Sequence, residues 1–549
     1  MRCAWIFLFL VQLLSLGRTT LAQHVVYLDS QRVKVFDSGI SQTDIEFYLR
    51  ELQLAQWSKG YLFCQIFGAS DSSSYLHRGK KYWFEVDSIY DLDENKMVDR
   101  WRPIAYKNLR KEVNEFWIDK GYPFATFQLN DIHPQSGGYR AALELCKGPY
   151  IVYDSLYLIN PIKSDLEYVE KLLDIETGQP FKESDYKALS QKLSRLPYAT
   201  LNAPPDVSFS DGKSIIYLDI EEQSSSSFEG IIGFLPNQAN GGLLVTGYLD
   251  LYLSNLFGSG KEFSFQWNRF AQQSQSIDLS YRHPYLIKSN LLLDVDFHLF
   301  KQDTGFLNQD WKLKLGAYIG TSTTLKATYH RSNTNLITLD QQYAESQNII
   351  DFQRDFYGLE LNNNSYEWPF DFRGGFKWKA LASLGQKQIQ RNPNFPDNYY
   401  DSIKLKTNIA RFQLDVKNQF AFDDQLAFFN EVSMGWLENE SVLNNEAYRI
   451  GGFRSVRGFN ENEFYARKYL MSRMELRQYF ERSSYFMLFY DQLLYQGKSI
   501  TDYPFGLGLG FALSTKSSLF NFAMAVGKSE GNPMSFSTAK IHFGYISRF

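Results

Sequence analysis

The stretch Leu243-Leu244-Val245-Thr246-Gly247-Tyr248-Leu249-Asp250-Leu251-Tyr252-Leu253 alternates with a period of two. Leu249, Leu251 and Leu253 fall on one face, and Tyr248, Asp250 and Tyr252 on the other, because successive side chains of a strand point to opposite faces. Such alternation needs an apolar medium on one side and water or polar side chains on the other. Sixteen segments of this kind follow from Phe228 to the end of the chain. Those 322 residues allow about 20 per strand and connection, enough for tilted spanning strands of about 9 to 11 residues. Connection lengths also separate. Short joins stand at Gly258-Ser259-Gly260, Arg282 to Lys288, Gly320-Thr321-Ser322, Asp423-Asp424, Arg482-Ser483-Ser484 and Thr515-Lys516-Ser517. Long ones run from Arg331 to Arg354, Gln388 to Asp401 and Leu437 to Arg467. Tight turns on one rim and long loops on the other describe a transmembrane barrel. A soluble β-sandwich would hide Leu249 and Leu251 in a core and would not sort its connections by rim.

Composition agrees. The chain of 549 residues is too long for one ordinary domain. It carries 45 Phe, 36 Tyr and 10 Trp, an aromatic share of 17% that suits the girdles of a membrane barrel. Lys and Arg number 57 against 61 Asp and Glu, a net charge of −4 that argues against nucleic acid as a partner. Beyond the first 22 residues, no apolar run reaches the length of a spanning helix.

The N-terminus reads as a secretory signal peptide over residues 1–22. Arg2 precedes an apolar stretch from Ala4 to Leu16, and small residues lead to a cleavage site after Ala22. Cys3 lies in the positive head rather than at the junction, so the exported chain keeps Cys64 and Cys146. These two could pair in an oxidising compartment. Each sits in a strand-like run of a different module, so two separately packed thiols are expected.

From residue 23 to 223 the chain mixes helix and strand in three loosely repeated units, 23–80, 81–148 and 149–223. The first has a helix from Ser41, a plausible N-cap, to Trp57, then Gly60-Tyr61 and an extended run from Leu62 to Phe67. In the second, a helix from Asn108 to Trp117 meets Gly121-Tyr122 and another extended run. The third places a helix from Tyr186 to Leu196 before a strand from Ser214 to Ile220. Gly79-Lys80-Lys81-Tyr82 and Gly148-Pro149-Tyr150 mark similar junctions. A helix stopped by glycine and followed by strands, repeated in tandem, is a small α/β module. A single irregular α/β domain is the alternative.

Ahead of the last five strands, Arg449-Ile450-Gly451-Gly452-Phe453-Arg454-Ser455-Val456-Arg457-Gly458-Phe459 resembles the inward-folded sixth loop of the BamA/TamA superfamily, marked by Val-Arg-Gly-Phe or Val-Arg-Gly-Tyr. The next two strands resemble that family as well, Glu475 as a strand-twelve glutamate and Phe489-Tyr490-Asp491 as its Phe-x-Asp pattern. So do the barrel opening at Ser227 to Phe234 and the aromatic ending Phe543-Gly544-Tyr545-Ile546-Ser547-Arg548-Phe549, in which Ser547 departs from the usual aliphatic or aromatic residue. The resemblance implies α+β polypeptide-transport-associated (POTRA) repeats, followed by an all-β, 16-stranded antiparallel barrel over 226–549. It implies a bacterial outer-membrane location with the N-terminal modules in the periplasm, and three modules match the TamA layout better than the five of BamA. It also implies a loop-gating motif at Val456, Arg457, Gly458 and Phe459. Arg457 would meet the lumen carboxylates Glu475 and Asp491, because a guanidinium inside a barrel needs an anionic partner and can hold one bidentately.

Phe543, Tyr545 and Phe549 would serve as a C-terminal sorting signal. Gly230, Gly233 and Gly544 would soften a seam between the first and last strands, where little side-chain packing is lost on opening. The seven His, at 24, 77, 133, 283, 298, 330 and 542, show no metal-ligand spacing, and neither a P-loop nor a nucleophile elbow is present. Gly506-x-Gly508-x-Gly510 lies in an alternating strand, where relief of crowding is expected rather than phosphate binding. No enzyme activity, cofactor or metal is therefore expected. The expected partners are unfolded outer-membrane or secreted client proteins at the POTRA modules, outer-membrane lipid, and an accessory periplasmic or inner-membrane assembly protein. The leading function is insertion or folding of β-barrel clients through a lateral seam. The alternative is a two-partner-type pore exporting one dedicated exoprotein. A passive porin would not need 200 residues of soluble modules.

Overall fold

The computed structural model describes residues 24–548 except 30, 37–40, 58, 60, 62–63, 71–72, 82–83, 95, 100–102, 105–115, 136–137, 194–195, 197, 224, 237–242, 272, 320–321, 366–373, 482, 499, 516–517 and 532. The expected signal peptide, most of the helix expected at Asn108–Trp117, and Phe549 lie outside the described residues. The chain forms two compact units. One comprises Met1–Asp154, Thr177–Ser184 and Ser208–Ser214; the other comprises Ser155–Glu176, Asp185–Val207 and Ile215–Phe549. The division passes through the third repeat rather than around it.

In the first unit two α/β modules follow one another. The first has a helix over Gln42–Trp57 and strands His24–Leu28, Gln31–Phe36, Gln65–Ser70 and Ser73–His77. Its outer strands in sequence, His24–Leu28 and Ser73–His77, lie side by side and parallel. Ser41 caps the helix, accepting from the Asp44 amide at 3.3 Å. Val26, Phe36 and Leu49 form the core. In the second module Phe84–Asp91 runs parallel to Gly138–Cys146, which pairs with Thr126–Gln135. Val86, Ile89, Leu143 and Leu145 fill that core. Gly79 and Gly148, at the two module junctions, have φ of +70° and +69°, a left-handed turn that a glycine makes without strain. Cys64 is buried and Cys146 half-buried, each a free thiol.

Leu166–Leu173 and Glu183–Leu193 are helical. The second was expected to reach Leu196. Its described part ends at Leu193, and residues 194 and 195 lie outside the described residues. The first was not read from the sequence at all; it is two turns long, capped by Asp165 and ended by a left-handed Asp174.

Sixteen long strands close the barrel: β1 (Ser227–Pro236), β2 (Leu243–Leu256), β3 (Lys261–Ala271), β4 (Ser274–His283), β5 (Leu291–Gln302), β6 (Phe306–Ile319), β7 (Thr323–Leu336), β8 (Phe352–Asn364), β9 (Gly374–Ile389), β10 (Lys406–Ala421), β11 (Leu426–Glu438), β12 (Lys468–Tyr479), β13 (Tyr485–Gln496), β14 (Phe505–Ser514), β15 (Ser518–Lys528) and β16 (Lys540–Arg548). A two-residue piece, Thr501–Asp502, pairs with the end of β13. Each strand pairs antiparallel with its sequence neighbour, and β16 returns to β1. Alternation assigns the faces. On β6, Trp311, Leu313 and Leu315 are exposed, whereas the intervening Lys314 points inward to Asp296 at 3.1 Å and Glu360 at 3.3 Å. Leu507 and Leu509 of β14, and Ile541 and Phe543 of β16, are likewise exposed on the outside. A belt of exposed aliphatic and aromatic side chains is stable only against lipid. Among the described residues no helix is long and apolar enough to cross a membrane.

The turn after β2 packs on the third repeat within the same unit. The Asp165 amide donates to the Gly258 carbonyl at 2.8 Å, and Asn255 Nδ2 donates to Ser164 Oγ at 2.9 Å. Gly258 has φ +69° and its missing Cβ would overlap the Lys163 carbonyl, so only glycine serves there. On the opposite rim, the loop before β8 folds a helix over Gln341–Gln347, and its Ala344, Ile349 and Ile350 pack with Phe300, Phe306 and Phe352.

Candidate functional site

The connection from β11 to β12 folds into the barrel rather than away from it. A short hairpin, Tyr448–Ile450 paired with Phe464–Ala466, carries residues 451–463 as a tip. At its root the loop offers a carboxylate to the wall: Glu446 is buried and accepts from Lys387 Nζ at 2.7 Å, with Arg354 Nη1 3.6 Å away. At its tip the polarity reverses. Arg457, 1% exposed, donates through Nε and Nη2 to the two oxygens of Asp491 at 2.7 and 2.6 Å. Its own backbone amide adds a third bond to Asp491 at 3.0 Å, and Nη1 reaches Glu475 at 2.7 Å. The guanidinium lies 3.7 Å over the ring of Phe489.

Strand register produces this convergence. Glu475 faces Phe489 across β12 and β13, and Arg473 faces Asp491, so the two carboxylates are diagonal neighbours. Glu475 is shared. Arg477 Nε and Nη2 reach it at 2.9 and 2.6 Å, and Arg473 Nη2 lies 3.7 Å away while its Nη1 holds Glu431 at 3.0 Å. Among the described residues the hydrogen bonds to the Asp491 carboxylate come from Arg457. Arg473 and Arg477 were not singled out in the sequence, although positions 473, 475 and 477 share one strand face and could have been.

The loop approaches the wall backbone to backbone, through glycines. Gly458 has φ +95°, and a Cβ there would lie 2.8 Å from the Gly527 amide. A Cβ on Gly506 would overlap the Arg457 carbonyl, and one on Gly508 the Phe489 ring. The stripe in β14 therefore makes room for a protein loop and a ring. Val456 and Phe459 are buried with Ile450, Phe464 and Met471, and Phe459 meets Phe464 edge-on at 4.9 Å.

The seam differs from every other pairing among the sixteen long strands. β15 and β16 are registered from Ser518–Ser547 to Ala525–Lys540, and β1 and β2 from Ser227–Tyr252 to Pro236–Leu243. Among the described residues β1 meets β16 through Ser227–Arg548 and Phe228–Ser547 alone. Gly544 is buried in the lumen face of β16, and a Cβ there would be 3.6 Å from Glu229 Oε1 of β1. A Cβ on Gly230 would meet the Phe228 ring at 3.4 Å. Neither is held as glycine by lack of space. Gly233 pairs with Thr246 in β1–β2. Phe543 faces outward, and Tyr545 lies 3.1 Å from Ser518 through its hydroxyl. Among the described residues no group of three or more His, Cys, Asp or Glu is placed to hold a metal ion.

The architecture is thus an internal loop clamped to the wall of a sixteen-stranded barrel that follows N-terminal α/β modules in the chain. Two solved structures share this architecture over nearly their whole length. CdiB from Escherichia coli is 12% identical, with 93% of this chain and 99% of that chain covered at a TM-score of 0.55. CdiB from Acinetobacter baumannii is 13% identical, with 98% and 91% covered at a TM-score of 0.53. BamA from Haemophilus ducreyi lacking POTRA domains 1–3 is 12% identical over 80% of this chain and 93% of that chain, at 0.41. No family model and no curated protein matches. The chain shares the fold of the two CdiB structures, N-terminal α/β modules followed in the chain by a sixteen-stranded barrel.

Proposed function

We propose that the chain assembles or translocates other proteins at the outer membrane, admitting strands of β-barrel clients through the β1–β16 seam. The observation that carries this reading is the seam itself, joined at Ser227–Arg548 and Phe228–Ser547 while both flanking pairs run the length of their strands. Unpaired backbone groups in lipid cost several kcal/mol each, so a client strand that pairs with β1 or β16 is stabilised there. The modules support the same reading. The edge strand Gln65–Ser70 presents exposed Ile66 and Phe67, a surface to which an extended client segment adds by backbone pairing. In this role the chain breaks no covalent bond and needs no cofactor.

A disulfide between cysteines placed at Phe228 and Ser547, in a chain with Cys64 and Cys146 changed to Ser, locks the seam. Locking is expected to abolish client assembly while heat-modifiable gel mobility shows the barrel still folded; reduction restores activity. Normal assembly by the locked barrel would overturn lateral entry. The second reading, a pore exporting one exoprotein, would then stand. It is favoured by the polar lumen, whose cavities of about 720 and 620 Å³ are lined by residues such as Asp278, His298 and Asn268 at one end and Lys377, Lys379 and Glu262 at the other.

A further inference from the structure

The tip of the internal loop touches both sides of the seam with two consecutive residues. Phe453 stacks on His542 of β16, with ring centroids 5.1 Å apart and planes 25° from parallel. The same ring packs with Met487, Phe489, Ala523 and Ala525 of β13 and β15. Arg454 reaches the other way, to β2 and β3. Its guanidinium lies 4.9 Å from the centre of the Tyr248 ring and donates to the Tyr248 hydroxyl. Asp250 Oδ2 and Gln266 Oε1 each lie 3.4 Å from it. The turn between the two side chains is held in shape. The Phe453 amide donates to Glu461 Oε1 at 2.9 Å, the Gly451 amide to Ser455 Oγ at 2.8 Å, and Arg473 Nη1 to the Arg454 carbonyl at 3.3 Å. Gly452 has φ +99°, and any Cβ there would overlap the Glu461 carboxylate.

We infer that Phe453 and Arg454 are positioning residues that staple the seam from within the lumen, so that β1 and β16 part only when the loop tip lifts. The backbone pairs between these strands are sparse, which leaves side chains to hold the edges together. The two halves of the staple have different strengths. Phe453 is an apolar ring set among β13, β15 and β16. Arg454 is a pair in contact with water, its side chain 58% exposed, and such pairs are weak and screened by salt. Release therefore begins on the β2 side, with Phe453 still seated and Arg457 still clamped. This inference rests on lateral opening and names the device that regulates it.

Hydrogen exchange on the full-length protein in lipid nanodiscs, with no client present, reads the open population of the seam directly. In the variant F453A/R454A, amides of β1 and β16 are expected to exchange severalfold faster than in the parent, while those of β5 and β6 keep the parent rate. R454A alone is expected to give a smaller increase, and R454K to recover part of it, because lysine keeps the charge and loses the planar fork. Raising salt is expected to speed seam exchange in the parent and to leave R454A unchanged. Equal seam exchange in F453A/R454A and parent would overturn the staple, as would acceleration of β5 and β6 by the same factor, which marks general destabilisation. Neither result depends on client entry, which the locked-seam experiment tests separately.

Discussion

Arg457 and Arg454 are three residues apart in one loop, and each bonds to polar groups of the wall, yet the two sites are physically unlike. Arg457 is buried with Asp491 and Glu475, with three bonds to Asp491 and a ring stacked against its face. Arg454 stands mostly in water beside Tyr248 and Asp250. Removing one partner of a buried pair leaves a charge with nowhere to go, whereas removing an exposed one returns its partner to solvent. The contrast teaches which side of the barrel is fixed. The loop is anchored by ion pairs to β12 and β13, three or four strands from the seam, and meets the strands beside the seam through a stacked ring and an exposed arginine.

The strongest way to break that contrast is Arg457→Ala. It strips Asp491 of both guanidinium bonds and leaves it the backbone amide of residue 457, while Glu475 keeps Arg477, so a loss of about 3–5 kcal/mol is expected, read as a fall in the temperature of the heat-modifiable mobility shift. Asp491→Asn added to it is expected to recover part of the loss, because the stranded charge is gone. Arg457→Lys is expected to lie between parent and Ala. A full recovery by Lys would show that charge alone, without the bidentate geometry, suffices.

A second test reaches the same clamp without altering any charge. Gly506→Val places a side chain where the Arg457 carbonyl now lies, and is expected to cost about 1–3 kcal/mol through overpacking. Protease nicking within residues 451–463 should rise in step. If the variant keeps parental stability and protection, the close approach of loop to β14 is not needed.

Glu446→Gln sharpens the comparison at the loop root. It keeps the Leu443 amide bond to Oε1 but loses the charge facing Lys387 and Arg354. The expected cost is about 1–3 kcal/mol, the range for disturbing a buried hydrogen-bonded group, and the thermal shift should be smaller than for Arg457→Ala. Smallest of all is Arg454→Ala, expected within about 0–1 kcal/mol of the parent. Its distinguishing sign is faster seam exchange at nearly unchanged stability, opposite to the pattern expected of Gly506→Val.

Much of this was legible in the residues. Tyr248 to Leu253 declares a strand with one wet face, and the separation of short and long connections declares the two rims. Val456 to Phe459, read with Glu475 and Asp491, pointed to a loop arginine beside wall carboxylates, and these atoms do meet. The glycines at 506, 508 and 510 were read as relief of crowding; the crowding groups are the Arg457 backbone at 506, the Met524 carbonyl and Phe489 ring at 508, and the Phe522 carbonyl and Met487 side chain at 510. The helix at Leu166–Leu173 escaped because two turns offer little periodicity to detect. The helix expected from Tyr186 to Leu196 is described from Glu183 to Leu193, one turn earlier at its start than the sequence reading placed it.

What the sequence determined by itself was local: strand period, turn length and glycine placement each depend on a few adjacent residues and their preferred geometry. The staple belongs to the tertiary structure. His542 lies 89 positions from Phe453, and Tyr248 lies 206 from Arg454. They meet because barrel closure brings the two ends of the sheet together around an inward loop, and no local period encodes that distance. Strand register decided that, among the described residues, Asp491 is held by Arg457 while Glu475 is shared, since a one-residue slip between β12 and β13 would turn one of the two carboxylates to the lipid face.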